Sequence, residues 1–221
     1  MCGRFVRKSP TEVIIADLGV TEPAAVDLPP RYNVCPGEEI AAVVAHAGGR
    51  RLGTLRWGLG ARRQINVRSE GVLGIEAFRT ALLRRRCLIP ADGFYEWQRR
   101  DGAKIPHFFR LASQRPFAFA GIWSRDAPSG PSGAALFTCA ANALVAPVHD
   151  RMPVILDPST HARWLDPTLD DPRLLRDLLR PLPDFALESY PVSSFVNSAK
   201  NDSPECIRRA DAPLRLVDPP P

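Results

Sequence analysis

Apolar residues recur along this chain in short runs whose spacing switches between that of helices and that of strands. Ser9-Pro10-Thr11-Glu12 reads as a capping box with Pro at the first helical position, and it opens a short helix through Leu18. A proline-rich loop follows, through Pro29-Pro30. Ile40–Ala45 and Leu52–Trp57 are strand-like runs joined at Gly48-Gly49, a hairpin signal. Ile75–Arg85 has helical spacing of Ile75, Phe78, Leu82 and Leu83. In the centre, Cys87–Ile89, Gly93–Gln98, His107–Leu111, Phe117–Trp123 and Ala134–Cys139 are β-prone runs broken by Asp-Gly or Ser/Gly/Pro turns. Asp171-Pro172 opens a helix carrying Leu174, Leu175, Leu178 and Leu179, which Pro181 helps to stop. Leu187–Val192 reads as a late strand, and the tail 211–221, ending Asp218-Pro219-Pro220-Pro221, is expected to fray. The sum is one α+β domain over 1–221 with its core at about 2–207. Mostly antiparallel sheet forms a barrel-like core, and the helices are short and peripheral.

Composition supports a packed domain. The 221 residues are 45% hydrophobic, and the 23 prolines are scattered rather than gathered into a linker. No run approaches the roughly 20 apolar residues of a membrane span, and MCGRFVRKSP has no secretory h-region. The five cysteines, at 2, 35, 87, 139 and 206, form no C-x-x-C pair, so neither a zinc site nor a disulfide framework is indicated. Cys35, Cys87, Cys139 and Cys206 read as buried small hydrophobes in a reducing, cytoplasmic setting. The net charge of +5 is compatible with a nucleic-acid partner without requiring one. Much of the positive charge lies in the arginine clusters 50–51, 62–63, 84–86 and 99–100, each of which reads equally well as a solvated surface.

Cys2 carries distinctive chemistry. A small second residue permits removal of the initiator Met, which leaves a 1,2-aminothiol. An α-amine has a pKa of roughly 7.7–8.0 and is partly neutral near pH 7, whereas a lysine amine at roughly 10.4 is not. Such an amine attacks an aldehyde to give a Schiff base, and the thiol then closes a five-membered thiazolidine. With Met1 attached, the nitrogen is an amide and this route is blocked.

Several motifs change the weight of that observation. Met1-Cys2-Gly3-Arg4-Phe5, Arg31-Tyr32-Asn33-Val34-Cys35-Pro36-Gly37, Trp57-Gly58-Leu59 and Ile65-Asn66-Val67-Arg68-Ser69-Glu70 occur in that order. They are followed by Pro90-Ala91-Asp92-Gly93-Phe94-Tyr95-Glu96-Trp97, Val148-His149-Asp150-Arg151-Met152-Pro153-Val154 and Pro191-Val192-Ser193 through Asn197-Ser198-Ala199-Lys200-Asn201-Asp202. Together they resemble the SRAP family, the SOS-response-associated peptidases now viewed as abasic-site processing proteins. The resemblance runs from residue 2 to about Ile207.

That resemblance implies the following roles. Matured Cys2 attacks C1′ of the ring-opened abasic deoxyribose in single-stranded DNA and shields the site from strand cleavage. Glu96 shuttles protons, its carboxyl desolvated between Tyr95 and Trp97. His149 protonates the ring oxygen or assists reversal, and Asn66 holds the sugar or the thiazolidine. Arg4 and Arg68 clamp phosphates, Trp57 and Trp97 stack on bases, and Asn33 and Thr138 make secondary contacts to the strand. No metal or organic cofactor is needed. The protein is expected to act as a monomer, off the membrane, at the nucleoid when on DNA. The family pattern Asn-Ala-Arg…Glu-Thr is here Asn66-Val67-Arg68-Ser69-Glu70-Gly71, which puts fine DNA contacts in doubt and leaves the reactive groups in place. Two other classes stay open. One is a thiol peptidase, with Cys2 as nucleophile and Glu96 or His149 as base, limited to self-removal of Met1. The other is a non-catalytic module that binds single strands reversibly.

Overall fold

In the computed structural model, which describes residues 2–23, 28–46, 49–125 and 132–210, the β-prone runs pair into two sheets. The first strands are β1 (Phe5–Arg7), β2 (Glu22–Pro23), β3 (Arg31–Val34), β4 (Glu39–His46), β5 (Gly49–Trp57), β6 (Asn66–Arg68) and β7 (Arg86–Ala91). Then come β8 (Gly93–Arg100), β9 (Ala103–Leu111), β10 (Phe117–Arg125), β11 (Ser132–Ala140), β12 (Arg151–Pro153), β13 (Ile155–Leu156) and β14 (Leu187–Pro191). The helices are α1 (Thr11–Leu18), α2 (Glu76–Arg84), α3 (His161–Leu165) and α4 (Pro172–Arg176), none of which is long and apolar enough to cross a membrane. The α+β class expected from the sequence is the one found.

The smaller sheet has the order β14-β9-β8-β1-β3, and the larger runs β12-β11-β10-β7-β4-β5-β2, with β13 on β10 and β6 on β11. A parallel contact of β11 with β5, Gly133↔Arg56 and Ala134↔Trp57, joins the two ends of the run β11-β10-β7-β4-β5 into a ring. That closure needs a glycine: a Cβ on Gly133 would stand 2.3 Å from the Gly58 carbonyl oxygen.

Alternation along the smaller sheet divides its contacts between two cores. Phe5, Phe94 and Phe109 join the main core, where Phe5 meets Trp57 edge-on at 5.1 Å and Phe94 stacks on Phe109 at 4.9 Å. Val6, Tyr95, Phe108 and Tyr190 enter a second cluster with Val196 and Cys206. On β8 the same alternation sends Glu96 to the side of Phe94 and Trp97 to the side of Tyr95.

Two local expectations are corrected. The capping box at Ser9 does not form: α1 begins at Thr11 after Pro10, with no side-chain cap, because the Ser9 hydroxyl and amide both donate to buried Asp92. The helix at Asp171 is shorter than its leucines suggested, ending at Arg176, although Asp171 caps it through the Arg173 and Leu174 amides. The other expected strands and helices occur with ends moved by a few residues. Gly48 of the hairpin signal and the tail 211–221 lie outside the described residues.

Candidate active site and nucleic-acid interface

The pairing of β1 with β8 builds the site. Phe5 lies opposite Phe94, and the Tyr95 amide donates to the Arg4 carbonyl, so residues 2–4 run beside Tyr95–Gln98 and bring Cys2 to Glu96. Cys2 is fully buried, its Sγ 3.8 Å from the Arg4 carbonyl oxygen. Burial pushes the thiol pKa well up, the Glu96 charge adds to this, and the chain's terminal ammonium opposes it. Asn66 reaches the same residue from β6, its Nδ2 donating to the Cys2 carbonyl at 2.8 Å. Its Oδ1 is buried and has no hydrogen-bond donor among the described residues. Parallel pairing of β6 with β11, Leu136↔Asn66 through Thr138↔Arg68, holds Asn66 there.

Glu96 is 3% exposed. Desolvation raises its carboxyl from the ordinary value near 4.5 to about 7, against the pull of the terminal ammonium. The Nε2 of His149 stands 4.0 Å from Glu96 Oε2. Its Nδ1 accepts the Arg151 amide at 3.0 Å and lies 2.9 Å from Asp150 Oδ1. The two contacts ask opposite roles of Nδ1, which accepts from Arg151 when unprotonated and donates to Asp150 when protonated. Burial, then the terminal ammonium, lowers the His149 pKa and favours the neutral form near pH 7. Arg151 ties the His149 segment down, with a bidentate pair to Glu70 at 2.7 and 2.9 Å and a bond to the Thr138 carbonyl at 2.8 Å.

Beside this pair lies an open pocket of about 480 Å³ whose lining includes Arg4, Glu96, Trp97, Arg99, Lys104 and His149. Cys2, Asn66, Glu96 and His149 thus converge. The residues expected to touch DNA divide. Arg68 is exposed and Trp97 half-buried, its Nε1 donating to Asn197 Oδ1 at 2.7 Å. Arg4 spends most of its fork inside the protein, donating to Asn33 Oδ1 at 2.9 Å and to the carbonyls of Val196 at 2.9 Å and Asn197 at 3.3 Å. Three expectations are corrected here. Trp57 is wholly buried against Phe5, with its Nε1 on the Ile65 carbonyl, and offers no face to a base. Thr138 is wholly buried on β11. Asn33 is 1% exposed, and its Nδ2 donates to the carbonyls of Val196, Ser198 and Asn201. It holds the closing motif and is not placed to contact a strand.

Sequence reasoning passed over Arg99, Lys104 and Arg151. Arg99 was visible as half of a basic pair, but nothing in the sequence tells a pocket wall from a solvated surface. The Arg151–Glu70 pair spans 81 positions and leaves no local signal.

Comparison with known proteins gives the chain's relatives. A 40% identity over 224 residues, covering 94% of this chain and 99% of the other, relates it to the abasic site processing protein YoqW of Bacillus subtilis. The abasic site processing protein YedK of Escherichia coli is 26% identical, over 94% of this chain and 99% of its own. A solved protein from Bacteroides thetaiotaomicron shares the fold at a TM-score of 0.84, covering 95% of this chain and 100% of that one, with 21% identity. The family model described as SOS response associated peptidase (SRAP) matches residues 1–199. The chain belongs to that family.

Proposed function

We propose that this protein, once Met1 is removed, captures abasic sites in single-stranded DNA through a thiazolidine between Cys2 and C1′ of the ring-opened deoxyribose. The observation that carries the reading is the convergence on residue 2 of the buried Glu96 carboxyl, the Asn66 amide and the His149 imidazole. The names of the relatives, abasic site processing proteins, point to the same substrate.

The chemistry balances with these groups. The neutral α-amine adds to the C1′ aldehyde, giving a carbinolamine. Glu96 in its acid form donates the proton that lets the hydroxyl leave as water, and the Schiff base results. The sulfur then adds to C1′ of the protonated Schiff base and the thiol proton returns to the Glu96 carboxylate, so that one water is lost overall and the acid form of Glu96 is restored. Burial holds the Glu96 carboxyl above its ordinary value, so its acid form persists closer to neutral pH than an exposed carboxyl's would. Asn66 fixes the Cys2 carbonyl while its spare Oδ1 remains to accept from a sugar hydroxyl. The protonated fraction of His149, which its lowered pKa makes small near pH 7, supplies a proton to the ring oxygen as the sugar opens.

A thiol peptidase is less well supported. Such enzymes depress the thiol pKa with a neighbouring cation, and here burial and a carboxyl push it up. The test is a denaturing gel of matured protein with abasic and with intact oligonucleotide. A heat-stable shifted band with the abasic strand alone is expected, and Cys2→Ala should abolish it. Equal crosslinking by Cys2→Ala would refute the mechanism, and reversible binding without preference for abasic strands would favour a simple binding module.

A further inference from the structure

The pocket beside Glu96 and His149 holds positive charge that the fold does not use. Arg99 and Lys104 lie directly opposite each other across the β8–β9 ladder, so their side chains share one face of the sheet. Like charges placed so repel and weaken a hairpin unless an anion lies between them. The hairpin itself is held by a tight turn at Asp101-Gly102, whose φ values of 49° and 78° fit a type I′ turn. Arg100 next door has Asp101 at 3.6 Å. Arg99 and Lys104 are exposed and have no carboxylate within ion-pairing distance among the described residues. Both line the pocket, where Glu96 is the one carboxylate among the described residues. The third cation there, Arg4, is largely committed to Asn33 and to the backbone at Val196 and Asn197.

We propose that Arg99 and Lys104 together seat a phosphate of the DNA strand adjacent to the captured sugar, a subsite that deepens the reading given above and rests on it. Strand geometry supports the placement. Trp97 sits two residues before Arg99 on the same face of β8, about 7 Å along the strand. A base stacked on the Trp97 ring therefore has its backbone within reach of both cations. Arg68 is exposed at the end of β6, two residues beyond Asn66.

The experiment measures reversible binding of a single strand carrying a tetrahydrofuran abasic analogue, which has no aldehyde, over a series of salt concentrations. The log–log salt slope should become shallower by about 0.7 in Arg99→Gln/Lys104→Gln, the release expected when one phosphate contact is lost from a single strand. A control of equal charge change, Arg84→Gln/Arg163→Gln, alters exposed arginines on α2 and α3 that do not line the pocket and should leave the slope unchanged. Arg99→Lys, which keeps the charge, should retain the wild-type slope and guards against damage to the hairpin. An unchanged slope in the double variant, or an equal change in the control, overturns the proposal. Because the analogue cannot crosslink, this result stands apart from the covalent mechanism, which is scored separately by adduct formation on a true abasic strand.

Discussion

Replacing Glu96 with Gln should stabilise the folded protein at alkaline pH while disabling its chemistry. Glu96 lies at 3% exposure on β8, and burial raises its carboxyl from near 4.5 to about 7. A folded carboxyl with a raised pKa binds its proton more tightly than the unfolded chain does. Its stabilising contribution is therefore complete below about 4.5 and declines as pH rises toward 7. Above pH 7 the charged form has to be held in a desolvated place, at a cost on the order of 3 kcal/mol given about 1.36 kcal/mol per pH unit. Gln has the same shape and no charge, so it escapes this cost. Urea denaturation of matured wild type and Glu96→Gln at pH 5 and pH 8 reads the effect of Glu96 together with its coupling to His149 and the terminal amine. The variant should gain on wild type between those pH values, by more than 1 M in midpoint for a slope of about 2 kcal/mol/M. A pH-independent difference, or a wild type that gains relative to the variant as pH rises, would refute the burial argument. In the same variant the rate of adduct formation should lose the pH dependence centred near 7.

Trp57→Ala and Trp97→Ala should separate core from interface. The first opens a cavity in the main core and should cost about 3–5 kcal/mol of stability by thermal or urea unfolding, whereas the second should weaken single-strand binding by about 1–3 kcal/mol with little loss of stability. Asn33→Ala removes the donor to three carbonyls of the 196–201 segment and should destabilise by about 2–4 kcal/mol, with faster hydrogen exchange confined to that segment. Asp150→Asn removes the carboxylate 2.9 Å from His149 Nδ1, so the imidazole pKa, read by NMR, should fall further. An unchanged or higher value would show that the pair does not form in solution.

The periodic parts of the fold were legible because long strands repeat their signal. The β-prone composition of Phe117–Trp123 or Gly93–Gln98 between turn residues is enough to mark a strand, and the central residues were placed correctly. β6 and β12 are each three residues long, too short for alternation to show, and only their motifs drew attention to them. The capping box at Ser9 failed because a distant carboxylate, Asp92, competes for the hydroxyl and amide, a tertiary effect that local pattern cannot contain. Residue chemistry and motif together singled out Cys2, Asn66, Glu96 and His149, which the fold brings to one place. The DNA contacts were less so: Trp57, Asn33 and Thr138 have side chains suited to a ligand, but the same properties suit a core or a loop anchor. Only burial separates the two uses. Trp97 and Trp57 look alike in sequence, and only their places in the fold decide which one meets solvent.

The most direct measurement is the mass of the N-terminal peptide after the matured protein has reacted with an abasic strand and both have been digested. Residue 2 should carry the deoxyribose remnant with one water lost, and borohydride should not change that mass, since a thiazolidine has no C=N bond to reduce. A gain of two hydrogens on borohydride treatment, a remnant on any other residue, or an adduct formed with Met1 still in place would contradict the account.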